Sequence, residues 1–375
     1  MTIINPTIKN VKRPPYYVAK TKDANNILQK GSEIIDLTGV TGLGDRALQD
    51  AYLNNTSISG TFNAPDLTTI SGSRALYNAF KGSGVTSVSM PLLKTVTGYI
   101  AFYETFMDCT GLTGTVNLGS LETVDGEWMF TRAFQNTAIT GIDLHSLKTI
   151  NGNTNVFLNA FDGCNGLTGV IDLSSVETIV GSNACRGMFQ NCLGITGFNL
   201  SSLTSIDGQY ALNGFFYNSP NVTNIDLSSL TNISTTGTMS YFIYNTFNFS
   251  ISFPSLKTIS GYDVFNYMCY GSQNAIVHFP KNLEGLWSFN MSGTNTIIAY
   301  DLPSTYTLTG ADSVTYTRNP KYDTATALAW KVGAYGTTNF DPAYYTSGTT
   351  DPQVSDTIYS DSACTVAVTT IDSIA

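Results

Sequence analysis

The sequence predicts a β-solenoid, one elongated body of parallel strands with short helical turns, followed by a small C-terminal β module. Three observations carry this. An apolar–polar–apolar triplet recurs ten times, a second apolar pair follows it at fixed spacing, and the 375-residue chain is poor in charge (12%) yet holds 33 Gly, 20 Phe and 21 Tyr. The triplets begin at Ile35, Phe62, Val88, Val116, Ile142, Ile171, Phe198, Ile225, Ile251 and Val277, at intervals of 26 to 29 residues. A fixed period of this length marks stacked repeats, each unable to bury its apolar face alone.

The triplet alternates inward and outward as a short strand does, with Ile142 and Leu144 inside and Asp143 outside. All ten are expected in one parallel sheet. The second pair, such as Leu93/Val96, Leu147/Ile150 or Leu203/Ile206, sits in a Leu-x-Thr-Ile motif. Its third position gives a polar row, Thr69, Thr95, Thr123, Thr149, Thr178, Ser205, Asn232 and Thr258. Beside that row Lys94, Glu122, Lys148 and Glu177 alternate in sign, so in-register stacking would set each Lys next to a Glu.

A glycine follows, at Gly72, Gly98, Gly126, Gly152, Gly181, Gly208 or Gly261, where a positive φ or a tight bend is expected. Apolar residues then recur four apart, as in Leu76/Phe80, Phe102/Phe106 and Phe157/Phe161, the spacing that puts two side chains on one face of a helical turn. Three residues later stands a Cys, Ser or Thr: Ser83, Cys109, Thr137, Cys164, Cys192, Ser219 and Thr246. Exchange among these types predicts a buried corner that takes a small hydrogen-bonding group, with reduced thiols. Cys185 and Cys269 fall at apolar positions and Cys364 stands alone; no CxxC pair exists for a metal.

Units such as AFDGCNGLTGVIDLSSVETIVG (160–181) and MFQNCLGITGFNLSSLTSIDG (188–208) resemble the BspA-like leucine-rich repeats of bacterial surface proteins. The shared signature is an aromatic, then Cys, then Leu, an Ile-x-Leu strand and Leu-x-x-Ile, over roughly residues 32 to 300. The resemblance implies a curved or twisted solenoid and adhesion to host or matrix molecules, without catalysis. The repeats here are longer, with added residues between the glycine and the aromatic.

Residues 1–31 read as an N-terminal arm or cap, 32–300 as a solenoid of about ten coils, and 301–375 as a C-terminal cap and β module. Tyr16, Tyr17 and Val18 are available to lie over the first coil. Within 343–371 the strand-like runs resemble small β modules near the ends of phage tail and gut-bacterial surface proteins. No secretory signal is recognisable at the start, which is compatible with cytoplasmic synthesis and later assembly.

A net charge of −9 without a basic cluster counts against nucleic acid, and no apolar run is long enough for membrane insertion. Only two histidines occur, His145 and His278, which counts against acid–base and metal chemistry. No cofactor, metal or catalytic set is expected. The leading expectation is therefore a non-enzymatic adhesion module on a virion, as a tail or fibre component, or on a bacterial surface. Its partner would be a cell-surface protein or glycan, or other virion proteins, and a homo-oligomer is compatible with this. Tyr99, Trp128, Tyr210 and Tyr262, which follow the glycine off the four-residue spacing, are the candidate anchors, with filling of a wider coil as the alternative. The competing class is a glycan-active enzyme that uses carboxylates on the polar face, such as Asp143 and Asp172.

Overall fold

The computed structural model describes residues 34–35 and 37–280, together with the backbone of nine short strands outside them: Asn10–Val11, Glu284–Gly285, Ser288–Asn290, Thr296–Ile298, Thr307–Thr309, Ala327–Ala329, Tyr344–Thr346, Thr357–Tyr359 and Ala367–Thr370. It is a parallel β-solenoid of about nine coils. From the second coil on, each described coil has three sides, a triplet strand, a second-row strand and a ladder of turns; the first has the last two.

The second row, and not the triplet row, builds the continuous sheet. Its eleven strands run in parallel from Asn10–Val11 through Gly42–Leu43, Thr69–Ile70 and successive coils to Glu284–Gly285. The threonine row is in register, with Thr95 opposite Thr123, Thr123 opposite Thr149 and Thr149 opposite Thr178. Lys94, Glu122, Lys148 and Glu177 therefore do stack in that order, their backbones bonded coil to coil. Their side chains close no ion pair, as expected for solvated charges whose attraction barely offsets the ordering of two long side chains.

The triplet row departs from the expected single sheet of ten. Ile35 starts no strand; the amide of Leu37 donates to the Asn63 carbonyl instead. The rest divides into a four-stranded sheet (Thr61–Asn63, Ser87–Ser89, Thr115–Asn117, Gly141–Asp143) and a six-stranded one (Gly169–Asp172, Ile195–Asn199, Asn224–Asp226, Ser250–Ser252, Ile276–His278, Thr296–Ile298). The break falls at the longest interval, between Ile142 and Ile171. Past the break the ladder is itself irregular: Gly169 pairs with Ile195 and Val170 with Gly197, so Thr196 is the extra residue of a bulge between coils five and six. Val170 beside it is 60% exposed.

The third side corrects the expected helical turns. Residues 46–55 in the first coil, and their counterparts through 263–272 in the ninth, form consecutive turns whose bonds alternate. Ala47, Gln49 and Ala51 donate to carbonyls three residues back, while Arg46, Leu48, Asp50 and Tyr52 donate forward to the next coil, Leu48 to Ala75 at 2.7 Å. Every fourth residue is left-handed. In one column this holds at Asn54, Gly82, Asp108, Asn136, Gly163, Asn191, Asn218, Asn245 and Gly271, with φ between 55° and 76°. Those are the residue types that tolerate this region. A four-residue repeat of this kind keeps i and i+4 on one face, as a helix does, yet its backbone pairs between coils.

The core is a set of ring columns. Tyr52, Phe80, Phe106, Phe134, Phe161 and Phe189 stack with centroids 4.9 to 5.3 Å apart, and Phe102, Phe130 and Phe157 form a second stack at 4.5 and 4.9 Å. The glycine column serves close approach more than positive φ. A Cβ on Gly208 would lie 2.0 Å from the Gly181 carbonyl oxygen, and one on Gly98 2.1 Å from that of Gly72.

The cysteine corner is as expected: Cys109, Cys164, Cys185, Cys192 and Cys269 are all buried and unpaired. Cys109, Cys164 and Cys192 donate their S–H to the carbonyls of Phe80, Phe134 and Phe161, a bond that Ser219 makes to Phe189. Burial pushes the thiols of Cys109 and Cys164 up to about 11. Cys364, Tyr16, Tyr17 and Val18 lie outside the described residues. The last four strands, from Ala327–Ala329 to Ala367–Thr370, form an antiparallel sheet where the small C-terminal module was expected.

Candidate binding surface

The polar side of the triplet row is occupied by turn chemistry. Asp143, Asp172 and Asp226 each accept a bond from the backbone N–H two residues on, at His145, Ser174 and Ser228, as Asn117 and Asn199 do at Gly119 and Ser201. These carboxylates cap turns. Asp143 also holds His145 Nδ1 at 2.6 Å on an exposed surface, and the sheet break separates Asp143 from Asp172. Among the described residues no three His, Cys, Asp or Glu side chains come together as a metal site would need.

The turn ladder is chemically richer, because its outward columns change from coil to coil over a fixed backbone. In coils two to four, Tyr77 stacks on Tyr103 at 5.2 Å, and Arg74 lies 5.8 Å over the Tyr77 ring. Buried Glu104 receives Lys81 at 2.6 Å and Arg132 at 3.3 Å. Partial burial and the Glu104 carboxylate raise the Tyr103 hydroxyl above its ordinary value. At this end one carboxylate is shared by two cations.

In coils seven to nine the same columns hold tyrosines. Tyr217 stacks on Tyr244 at 4.3 Å and 6°, Tyr244 on Tyr270 at 5.7 Å, and Tyr241 on Tyr267 at 5.1 Å. Tyr241 also meets Tyr244, and Tyr267 meets Tyr270 edge-on, so the five rings form one platform. Desolvation and neighbouring phenols raise Tyr241 and Tyr244, which stay neutral hydrogen-bonding groups at ordinary pH. Tyr241 and Tyr267 occupy left-handed backbone (φ 54° and 55°), as do Arg132 (52°) and Tyr210 (58°). Residues of these types hold that conformation at a cost of roughly 1–2 kcal/mol, as Arg46, Arg74, Ile100, Glu104 and Trp128 do elsewhere on the ladder.

Between the two ends lies a groove of about 660 Å³ running over coils four to eight. Gly187 and Gly214 form its floor, Arg132 and Arg186 one end, Tyr210, Tyr217 and Tyr241 the other, with Asn159, Gln190 and Asn213 along it; no carboxylate lines it.

The four anchors expected from sequence are not brought together. Tyr99 (49% exposed) and half-buried Trp128 lie on adjacent coils at one end, Tyr210 (38%) and Tyr262 (71%) at the other, with two coils between the pairs. Only Tyr210 lines the groove. Sequence reasoning missed the platform and both arginines. The available signal was the interval itself: Tyr217, Tyr244 and Tyr270 are spaced by the repeat period, as are Tyr241 and Tyr267.

The fold is similar to those of solved bacterial leucine-rich repeat proteins. One from Bacteroides ovatus is 18% identical over 77% of this chain and 69% of its own, with a TM-score of 0.41. The pneumococcal vaccine antigen PcpA is 12% identical over 75% of this chain and 73% of its own (TM-score 0.29). A leucine rich cell surface protein from Faecalibacterium prausnitzii is 18% identical over 76% of this chain and 85% of its own (TM-score 0.26). No protein-family model matches the sequence, and neither does any curated protein.

Proposed function

We propose that this protein is a non-enzymatic recognition module, displayed on a bacterial surface or a virion, whose turn ladder contacts a macromolecule on a cell. The observation that carries the reading is the five-ring tyrosine platform continuous with an arginine-bearing groove. Large rings held by their neighbours lose little freedom on binding and commonly dominate contact energy. The carboxylates that a glycan-active enzyme would use are engaged in capping turns, which supports binding over hydrolysis. Of the anchors Tyr99, Trp128, Tyr210 and Tyr262, Tyr210 is the one that belongs to this surface.

The test masks one face at a time. With Cys364 replaced by Ser, the described native thiols are buried, so an introduced Asn213→Cys or Glu122→Cys takes a maleimide-linked polymer at one place. The polymer at Asn213 should abolish attachment to cell-envelope and matrix preparations, and the polymer at Glu122, on the second-row sheet, should leave it intact. The opposite pattern overturns the assignment of the face. Fractionation of virions and envelopes from the producing culture reports where the protein is displayed.

A further inference from the structure

Resting on that reading, we infer that the groove over coils four to eight takes an acidic glycan, laid along the solenoid with sugar rings on Tyr217 and Tyr241 and an anionic substituent on Arg186.

The groove lies where one left-handed column holds two glycines in succession: at Gly187 the Asn159 side chain leans in, its Oδ1 2.5 Å from where a Cβ would stand, and at Gly214 the space is open. Asn78 and Asn159 occupy the column that Gly187 and Gly214 occupy in coils six and seven, all of them left-handed (φ 51°, 53°, 59° and 61°). A Cβ on Gly214 would meet only the Cβ of Tyr217, at 3.7 Å, so the space above it is open. The trench therefore opens at Gly214 on an unchanged backbone.

Its walls are ordered before a ligand arrives. Tyr210 lies flat on Gly237, where an added Cβ would come within 2.2 Å of a ring carbon. Tyr217 and Tyr241 are each backed by the next coil's ring, at 4.3 and 5.1 Å. That coil-to-coil pitch is close to the length one pyranose adds to an extended glycan, so successive sugars meet successive coils. Flat rings suit the apolar faces of sugars, and amides such as Asn213 and Gln190, which both donate and accept, suit hydroxyl groups.

Charge selects the class of glycan. The chain carries −9, yet the groove holds two arginines and no carboxylate. Arg132 is partly neutralised by Glu104, whereas exposed Arg186 makes no ion pair among the described residues. A guanidinium fork matches a planar carboxylate or a sulfate, and a local positive site on an acidic protein draws anions to it. Leu158 is the sole aliphatic side chain of the lining, which disfavours an apolar peptide.

The test uses the full chain in calorimetric titrations with hexagalacturonate, a heparin hexasaccharide and maltohexaose. One of the two acidic oligosaccharides should bind, and which one identifies the anion as carboxylate or sulfate; maltohexaose should bind at least about tenfold more weakly, the ratio that 1.4 kcal/mol produces. Arg186→Ala should weaken the acidic ligand at least about tenfold, since hydrogen bonds to charged groups are the stronger kind. Gly214→Asn refills the column with the residue Asn159 already places there, so it should abolish binding while leaving the urea midpoint within error. Absence of binding by both acidic oligosaccharides, equal binding of maltohexaose, or wild-type affinity in both variants overturns the inference. Should the oligosaccharides fail while the polymer at Asn213 still blocks attachment, the ligand class is wrong and the face stands; should that polymer have no effect, the functional reading itself falls.

Discussion

Replacing Asn191 by Ala and by Gly separates the turn ladder from a helix by the sign of one difference. Asn191 sits at φ 56°, donates its side-chain amide to Asp162 Oδ1 at 2.8 Å and accepts from Asn218 Nδ2 at 3.3 Å. Either substitution removes both bonds, at about 0.5–1.5 kcal/mol each. Asp162 keeps the amides of Gln135 and Gln190, so no buried charge is stranded. Ala then adds left-handed strain of about 1–2 kcal/mol, against which Gly carries an extra entropic cost of about 0.5–1 kcal/mol. Asn191→Ala should thus be less stable than Asn191→Gly by roughly 0.5–1 kcal/mol. In a helix the order is reversed, with Gly about 0.8–1.0 kcal/mol worse than Ala. Urea unfolding followed by far-UV circular dichroism measures both, and amide exchange in coils six and seven localises the effect. An Ala variant as stable as the Gly variant, or more so, refutes the left-handed ladder.

Three further outcomes are expected. Phe134→Ala, which empties a site stacked at 5.3 Å on both Phe106 and Phe161, should cost about 3–5 kcal/mol in the same assay; a loss below about 1 kcal/mol contradicts the packed ring column. Cys109, Cys164, Cys185, Cys192 and Cys269 should resist a thiol reagent until the chain unfolds. Because Cys109 and Cys164 are raised to about 11 from 9.0, the fold holds protons that the unfolded chain releases; this contribution is complete below pH 9 and is lost as pH rises through 11. Stability that climbs across that window contradicts the assignment.

Much of the fold was legible because burial repeats with the coil. The triplets, the Leu-x-Thr-Ile row and the Phe80-to-Phe189 column are all period signals, and each appears in the structure as a row or stack. One feature was readable but misassigned. Spacing of four fits both a helix and a four-residue turn ladder; what distinguishes them is Asn, Asp or Gly in one column of every coil, from Asn54 to Gly271, a demand that no helix makes. The sheet break had no such mark: Gly169-Val170-Ile171 has the same form as Gly114-Thr115-Val116, whose strand pairs with the next coil without interruption. The platform escaped because its tyrosines look scattered within a coil and align only when coils are superposed. No pattern within a single coil marks the groove, which lies where one column holds two glycines in succession.

The columns divide labour in a way that explains why a surface like this can be rebuilt without loss of the fold. Inward columns admit few types: the ring column holds Tyr52, six phenylalanines, Ile243 and Cys269, and the corner takes only Asn, Ser, Thr or Cys from Asn55 to Ser272. The outward column three residues after the first left-handed position reads Gln49, Tyr77, Tyr103, Thr131, Leu158, Arg186, Asn213, Ser240 and Asn266, with no common chemistry. Such freedom is allowed because the backbone beneath is fixed by its own bonds between coils, to which only buried Thr131 and Ser240 of this column add a hydroxyl bond, to the carbonyls of Asn155 and Asp263. Left-handed backbone is also taken by Arg46, Arg74, Ile100, Glu104 and Trp128, so strain of this kind runs along the ladder and does not itself mark the groove. What is particular to the groove is the order of side chains down one left-handed column: Arg132, then Asn159, Gly187 and Gly214, then Tyr241 and Tyr267. A partner laid across these coils meets a guanidinium, a gap and phenol rings in succession over one unchanged backbone, and that sequence of groups is what the fold leaves free to vary.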